Sequence, residues 1–189
     1  MIYNKKNTFL KGTIENMIYF VRHGQTDWNV LGKIQGHADI ELNEMGIKQA
    51  EELREQFKNV KFDKVFCSPL KRARKTAEII YNGQIEIDER LKERCNGTLE
   101  GRTKKELQKL PDFNSLDNNE YGIETLRNLN ERIKSFITEV MEKYKNKNIL
   151  VVTHAGVCIH VKAYFEGEPT ERNFESYKLK NGEFLMYKN

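Results

Sequence analysis

Apolar residues fall in two rhythms along this chain. Short runs at Met17–Val21, Lys64–Cys67 and Asn148–Val152 are rich in strand formers, as expected of strands buried on both faces. Gln84–Ile87 alternates and reads as another strand. Glu183–Tyr187 reads as an edge strand entered through a hairpin-type turn at Asn181-Gly182. Between these runs the spacing becomes helical. Ile47, Ala50, Leu53 and Phe57 predict a helix from an N-cap at Asn43 to Lys58. Ser68 followed by Pro69 predicts another helix start, with Ala73, Ala77 and Ile80 on one face. Thr103–Leu110 reads as a short helix stopped by Pro111, and the polar stretch Asp112–Tyr121 as a loop or lid. A long amphipathic helix is expected over Thr125–Lys145, with Leu126, Leu129, Ile133, Phe136, Ile137 and Val140 turned inward. A last helix is expected over Gly156–Phe165. Strands alternating with helices imply a three-layer α/β/α sandwich around a mostly parallel sheet. The chain shows no internal repeat, interdomain linker or low-complexity tract.

Composition narrows the class. The 189 residues suffice for one domain with one core and are too few for two ordinary enzyme domains. Met1–Asn16 is polar and reads as an extension outside a single domain spanning 17–189, with Met17 a candidate natural start. No apolar run approaches the ~20 residues that span a bilayer, so no membrane association is expected. The net charge of +4 is a small difference between 32 basic and 28 acidic residues. Lys and Glu alternate along most helices instead of forming a basic stripe, so no nucleic-acid partner is expected. Cys67, Cys95 and Cys158 are widely spaced and form no metal-binding pattern, which points to a reducing, cytoplasmic location and no metal.

The chemistry should lie where strands end. In an open α/β sheet, ligands bind beyond the carboxyl ends of the strands. Arg22 and His23 follow the first strand, Ser68 and Arg72 the second, and His154 the late one. If these strands are parallel neighbours, two guanidiniums and two imidazoles meet at one edge, beside a helix N-terminus that favours an anion. Each piece alone also has a purely structural reading. Together they suit a tetrahedral dianion held by bidentate Arg contacts, and phosphoryl transfer with an imidazole nucleophile is one chemistry they permit.

The local strings carry a resemblance. Arg22-His23-Gly24-Gln25-Thr26-Asp27-Trp28-Asn29 resembles the RHGxTxxN box of the histidine phosphatase superfamily, also called the phosphoglycerate mutase-like family. Gln35-Gly36, Asp39, Leu42, Gly46 and Gln49-Ala50 resemble its next stretch, and Ser68-Pro69-Leu70-Lys71-Arg72-Ala73 through Thr76-Ala77 its SPLxRAxxTA box. Leu91 through Glu93, then Gly97 and Glu100-Gly101, resemble its LxExxxGxxEG segment, and Val151 through Val157 the box of its second histidine. The boxes run in order from Met17 to the C-terminus. The resemblance implies the phosphoglycerate mutase-like form of the α/β/α fold, no cofactor and no metal. It implies that His23 is a nucleophile carrying a transient phosphohistidine, and that Arg22, Arg72 and His154 hold the phosphoryl group. Asn29 would add a hydrogen bond, Gln35, Gly36 and Lys104 would belong to the substrate-binding set, and Glu93 would be the acid for the leaving oxygen.

Some positions depart from the pattern. Lys33 stands where Arg is common and Leu99 where many phosphatases have Trp, and Tyr121-Gly122-Ile123-Glu124-Thr125 only loosely matches a GGES stretch. These, with Cys95 and Asn96, are assigned to the mouth of the site. His37 sits in a polar loop within reach of substrate, and His160 is read as structural or surface. Mutases of this family carry an insertion with an Arg pair that grips the substrate carboxylate. No Arg-Arg lies between Lys104 and Glu124, and Leu110–Tyr121 has no basic residue. The expectation is therefore a metal-independent phosphatase of small phosphorylated metabolites. A cofactor-dependent mutase is the alternative, a catalytically silent binding module a distant one, and a homodimer is left open.

Overall fold

The computed structural model describes residues 16–107, 119–169 and 174–189. The 1–15 extension, and most of the expected 112–121 lid, lie outside the described residues. Five strands form one sheet: β1 (Met17–Arg22), β2 (Lys64–Cys67), β3 (Glu86–Ile87), β4 (Ile149–Thr153) and β5 (Phe184–Lys188). The order across the sheet is β3-β2-β4-β1-β5. β1, β2, β3 and β4 are parallel, and β5 is antiparallel to β1, with Val21 opposite Phe184 and Met17 opposite Lys188. The sheet is therefore mostly parallel, as expected.

The pleat divides the core in two. Tyr19, Val21, Val65, Cys67, Leu150 and Val152 face one side, where they pack on Leu53 and Phe57 of α2 (Glu44–Phe57) and on Ala73, Ala77 and Ile80 of α3 (Lys71–Ile80). Ile18, Phe20, Phe66, Ile149 and Val151 face the other, against Leu129, Ile133, Phe136, Ile137 and Val140 of α5 (Leu126–Lys143) and Val157 and Val161 of α6 (Ala155–Glu166). Successive strand residues point to opposite faces, so continuous apolar runs feed both helical layers. The short helix α1 (Asp27–Val30) follows the C-terminal end of β1, and α4 (Lys104–Leu107) follows a bridge between Lys33 and Thr103.

Several expected boundaries move. Asn43 caps α2 as predicted, its side chain accepting from Gly46 N. The expected strand over 84–87 shortens to Glu86–Ile87, both exposed, because only Phe66 and Cys67 of β2 remain as partners at that edge. The helix expected over 103–110 is Lys104–Leu107 within the described residues. Asn181-Gly182 is not a hairpin turn, since β5 pairs with the distant β1 and the described element just before the turn is a 3-10 turn at Phe174–Tyr177. α3 begins at Lys71, not at Ser68-Pro69. Its first turn is capped from a distance, by Asp39 Oδ1 accepting from Lys71 N at 2.7 Å. Ser68 is instead drawn to His154, with Oγ and Nε2 2.7 Å apart.

Candidate active site

Parallel pairing brings three strand ends together. Arg22 lies opposite Thr153, His23 N donates to Thr153 O at 3.0 Å, and Ser68 N donates to Val152 O at 3.0 Å. β4 is central, so His154 sits between Arg22-His23 on one side and Ser68 with Arg72 on the other. The two imidazole centroids are 5.1 Å apart at 61°.

The loop leaving β1 is held from all sides. Gly24 N donates to Thr76 Oγ1 at 3.0 Å, Gln25 N to Gln49 Oε1 at 2.8 Å, and Asn43 N to Gln25 O at 3.0 Å. α2 comes so close that a Cβ on Gly24 would lie 2.3 Å from Gly46 O, and one on Gly46 2.1 Å from Gln25 O. Only glycine fits at either place. Thr26 then caps α1 in a capping box with Asn29.

His23 is 3% exposed. Its Nδ1 lies 2.6 Å from Gly24 O, so that nitrogen carries the proton and Nε2 keeps its lone pair. Burial, then the charges of Arg72 and Arg22, hold its pKa well below 6.5. His154 is pushed down the same way, by burial first, then Arg72 and His23. Both rings are therefore neutral at neutral pH. Ser68 Oγ shares a hydrogen bond with His154 Nε2 at 2.7 Å.

Both guanidiniums are anchored at their far ends. Arg72, completely buried, donates from Nη2 to Gly36 O at 2.7 Å and from Nη1 to Ala38 O at 2.8 Å. Burial lowers its pKa to about 10, and it stays a cation at neutral pH. Arg22 donates from Nη1 to Leu179 O. The Nε atoms of Arg22 and Arg72 and Nδ1 of His154 are buried without a hydrogen-bond partner among the described residues. Buried polar groups are normally satisfied, so these three unpartnered atoms mark a candidate anion cradle. Asn29 Oδ1 accepts from Thr26 N at 3.0 Å and from Asn181 Nδ2 at 3.2 Å, which leaves its NH₂ as the free donor end.

Glu93 approaches from the loop before α4. Its Oε1 accepts from Arg94 N at 2.9 Å and its Oε2 from Gly156 N at 3.1 Å. The carboxylate thus rests on the first turn of α6, at the positive end of the helix dipole. A Cβ on Gly156 would lie 2.3 Å from Glu93 Oε1. Arg22 and Arg72 both feel the Glu93 charge, so the carboxyl faces the cradle.

The remaining expected residues fall as follows. Gln35 is buried, with Oε1 unpartnered, and Gly36 presents its carbonyl to Arg72. The backbone of Lys104 opens α4, and its side chain lies outside the described residues. Leu99 does not line the mouth: it is fully buried with Ile123, against Ile34, as an apolar residue should be. Asn96 is also buried, donating from Nδ2 to Arg94 O at 3.0 Å. His37 donates from Nε2 to Glu93 O at 2.9 Å, so that nitrogen is used inside the protein. Lys33 lies 5.6 Å over the Trp28 ring.

Asn181 was read only as half of a turn. Its Nδ2 reaches His23 O at 3.1 Å and Gly24 O at 3.3 Å as well as Asn29. No local pattern signals this, because the contact exists only once β5 pairs with β1. Among the described residues no three His, Cys, Asp or Glu side chains cluster as a metal site.

The chain as a whole is similar to known proteins. The family model of the histidine phosphatase superfamily (branch 1) matches residues 18–186. The uncharacterized phosphatase PhoE of Bacillus subtilis is 41% identical over 147 residues, 76% of this chain and 73% of its own length. The metal-independent phosphoserine phosphatase of Arabidopsis thaliana is 38% identical over 154 residues, 74% of this chain and 64% of its own. The crystal structure of Entamoeba histolytica phosphoserine phosphatase in complex with 3-phosphoglyceric acid superposes with a TM-score of 0.78 at 31% identity, covering 90% of this chain and 89% of that one.

Proposed function

The chain belongs to the histidine phosphatase superfamily and is a phosphoric monoester hydrolase, and from that premise we propose that it cleaves small phosphate monoesters, without metal, through a phosphohistidine on His23. The observation that carries this reading is the neutral, Nδ1-bonded His23 beside the unpartnered Nε atoms of Arg22 and Arg72 and Nδ1 of His154.

The proposed steps use these residues in turn. His23 Nε2 attacks phosphorus as the ester P–O bond breaks. The cradle donors and Asn29 meet the phosphoryl oxygens, where transition-state charge collects. Glu93, protonated, gives its proton to the leaving oxygen. The alcohol departs, and the Glu93 carboxylate takes a proton from water as the water oxygen bonds to phosphorus and the P–Nε2 bond breaks, which returns phosphate and free His23. Gln35, Gly36 and Lys104 belong to the binding set beyond the phosphoryl group, and a phosphorylated metabolite as small as phosphoserine is the first substrate to try.

Rapid acid-free quenching with a ³²P-labelled monoester tests the intermediate. Label on the protein that survives alkali, is lost in acid, maps to His23 and is absent from His23→Ala is the expected result, with turnover in that variant down at least ~10³-fold. Near-wild-type rates in His23→Ala would refute the mechanism. Isomerisation of 3-phosphoglycerate in the presence of 2,3-bisphosphoglycerate, without net phosphate release, would make the protein a mutase instead.

A further inference from the structure

The segment that carries Glu93 has little regular structure of its own beyond one 3-10 turn at Glu89–Leu91. Its position is set from outside. Arg132 of α5 donates from Nη1 to Arg90 O and from Nη2 to Glu93 O at 3.2 Å. The same guanidinium grips Glu124 with two prongs, Nε to Oε1 at 2.6 Å and Nη2 to Oε2 at 2.8 Å. Glu124 in turn ties down the next residues. Its N–H donates to Cys95 O at 2.9 Å, its carbonyl accepts from Arg94 Nε at 2.8 Å, and its Oε2 accepts from Cys95 N at 3.4 Å. The Arg132 and Glu124 side chains are only 18% and 16% exposed.

This pair sits on a rigid base. Leu129, Ile133 and Phe136, on either side of Arg132 in α5, are fully buried against the sheet. The tolerance at the other end is small. Glu93 Oε2 meets Gly156 N at 3.1 Å, in a gap that a single Cβ would close. A shift of the Glu93 backbone by an ångström would take the carboxyl off α6 and out of line with the cradle. Arg suits this task better than Lys, because its planar fork spans two main-chain carbonyls and a carboxylate at once.

We propose that Arg132 and Glu124 are a positioning pair for proton transfer by Glu93. They hold the acid's main chain at the height from which its carboxyl reaches the leaving oxygen. The proposal rests on the reading of Glu93 as the acid. Both side chains are engaged by protein contacts.

The test compares p-nitrophenyl phosphate, whose leaving group departs without a proton, with phenyl phosphate, whose leaving group needs one. The measured quantity is kcat/KM, which reports the steps up to ester cleavage. The variants are Arg132→Ala, Arg132→Lys, Glu124→Gln and Glu93→Gln in the full chain. General acid help is worth ~10²–10⁴-fold, so Arg132→Ala is expected to lower phenyl phosphate kcat/KM by about 30-fold or more and that of p-nitrophenyl phosphate by less than about threefold. Arg132→Lys should recover part of the loss, and Glu124→Gln should show the same split more weakly. Turnover of p-nitrophenyl phosphate doubles as the check that the cradle is folded. If Arg132→Ala does not fold, Arg132→Lys and Glu124→Gln decide. Equal losses on both esters, or none, while Glu93→Gln shows the split, would overturn the positioning role. A Glu93→Gln variant without the split would place the failure in the acid assignment itself.

Discussion

His23 shows how a single side chain is tuned by what surrounds it. Its Nδ1 is tied to the carbonyl of the very next residue, and its ring is shut from water between two cations. Protonation would place a third positive charge beside Arg22 and Arg72, so the ring stays neutral below the pH at which free imidazole titrates. His154 shares this environment and is tied to Ser68 through Nε2. In NMR titrations of the full chain, the ring resonances of His23 and His154 are expected to keep their neutral positions well below pH 6.5. A midpoint at or above 6.5 for His23 would contradict the arrangement.

At the scale of elements, the 22–26 loop is rigid because four elements grip it. α2 packs glycine on glycine, α3 offers Thr76, β4 accepts from His23 N, and the turn before β5 offers Asn181. The same turn receives Arg22 Nη1 at Leu179 O. Replacing Asn181 removes a donor shared by three oxygens. Asn181→Ala is expected to cost about 1–2 kcal/mol of stability and to lower kcat about tenfold, since small misplacements of reacting groups are costly. Asn181→Asp keeps the shape but turns a carboxylate on those oxygens, so it should be worse than Ala. Thermal melts beside steady-state kinetics check both, and unchanged kcat in Asn181→Ala would show that the turn merely closes the sheet.

At the scale of the whole molecule, the two helical layers bury His23 and His154 as neutral groups and largely cover His160 too. Burial, then Arg94 and Arg132, lower the His160 pKa from 6.5 to about 4. The unfolded chain protonates near 6.5 while the folded one does not, so below that pH the unfolded state binds more protons. Stability is therefore full above about pH 6.5 and falls as the pH drops. For His160 alone, at up to 1.36 kcal/mol per pH unit, the loss between pH 6.5 and 5 is about 1.5 kcal/mol. Urea unfolding at pH 7 and pH 5 should show a fall, smaller in His160→Gln. A pH-independent midpoint would mean that water reaches these rings. The described residues contain no helix long and apolar enough to cross a membrane.

What the sequence determined by itself was whatever depends on neighbours along the chain. Strand runs, the Asn43 cap, the amphipathic face of α5 and the placing of Arg22, His23, Arg72 and His154 at element ends all follow from local period and local residue type. The motif strings added Glu93. Tertiary structure decided what depends on residues far apart. It moved the start of α3 because Ser68 answers to His154, 86 positions away, and Asp39 supplies the cap. It buried Leu99 under Ile123. It brought Asn181 to the 22–26 loop across 158 positions and Arg132 to the Glu93 carbonyl across 39. Hydrogen bonds to main-chain carbonyls leave no trace in residue type, because every residue but the partner offers the same group. The gathering of Arg22, His23, Arg72 and His154 was therefore legible in the chain, and the residues that hold them in place were not.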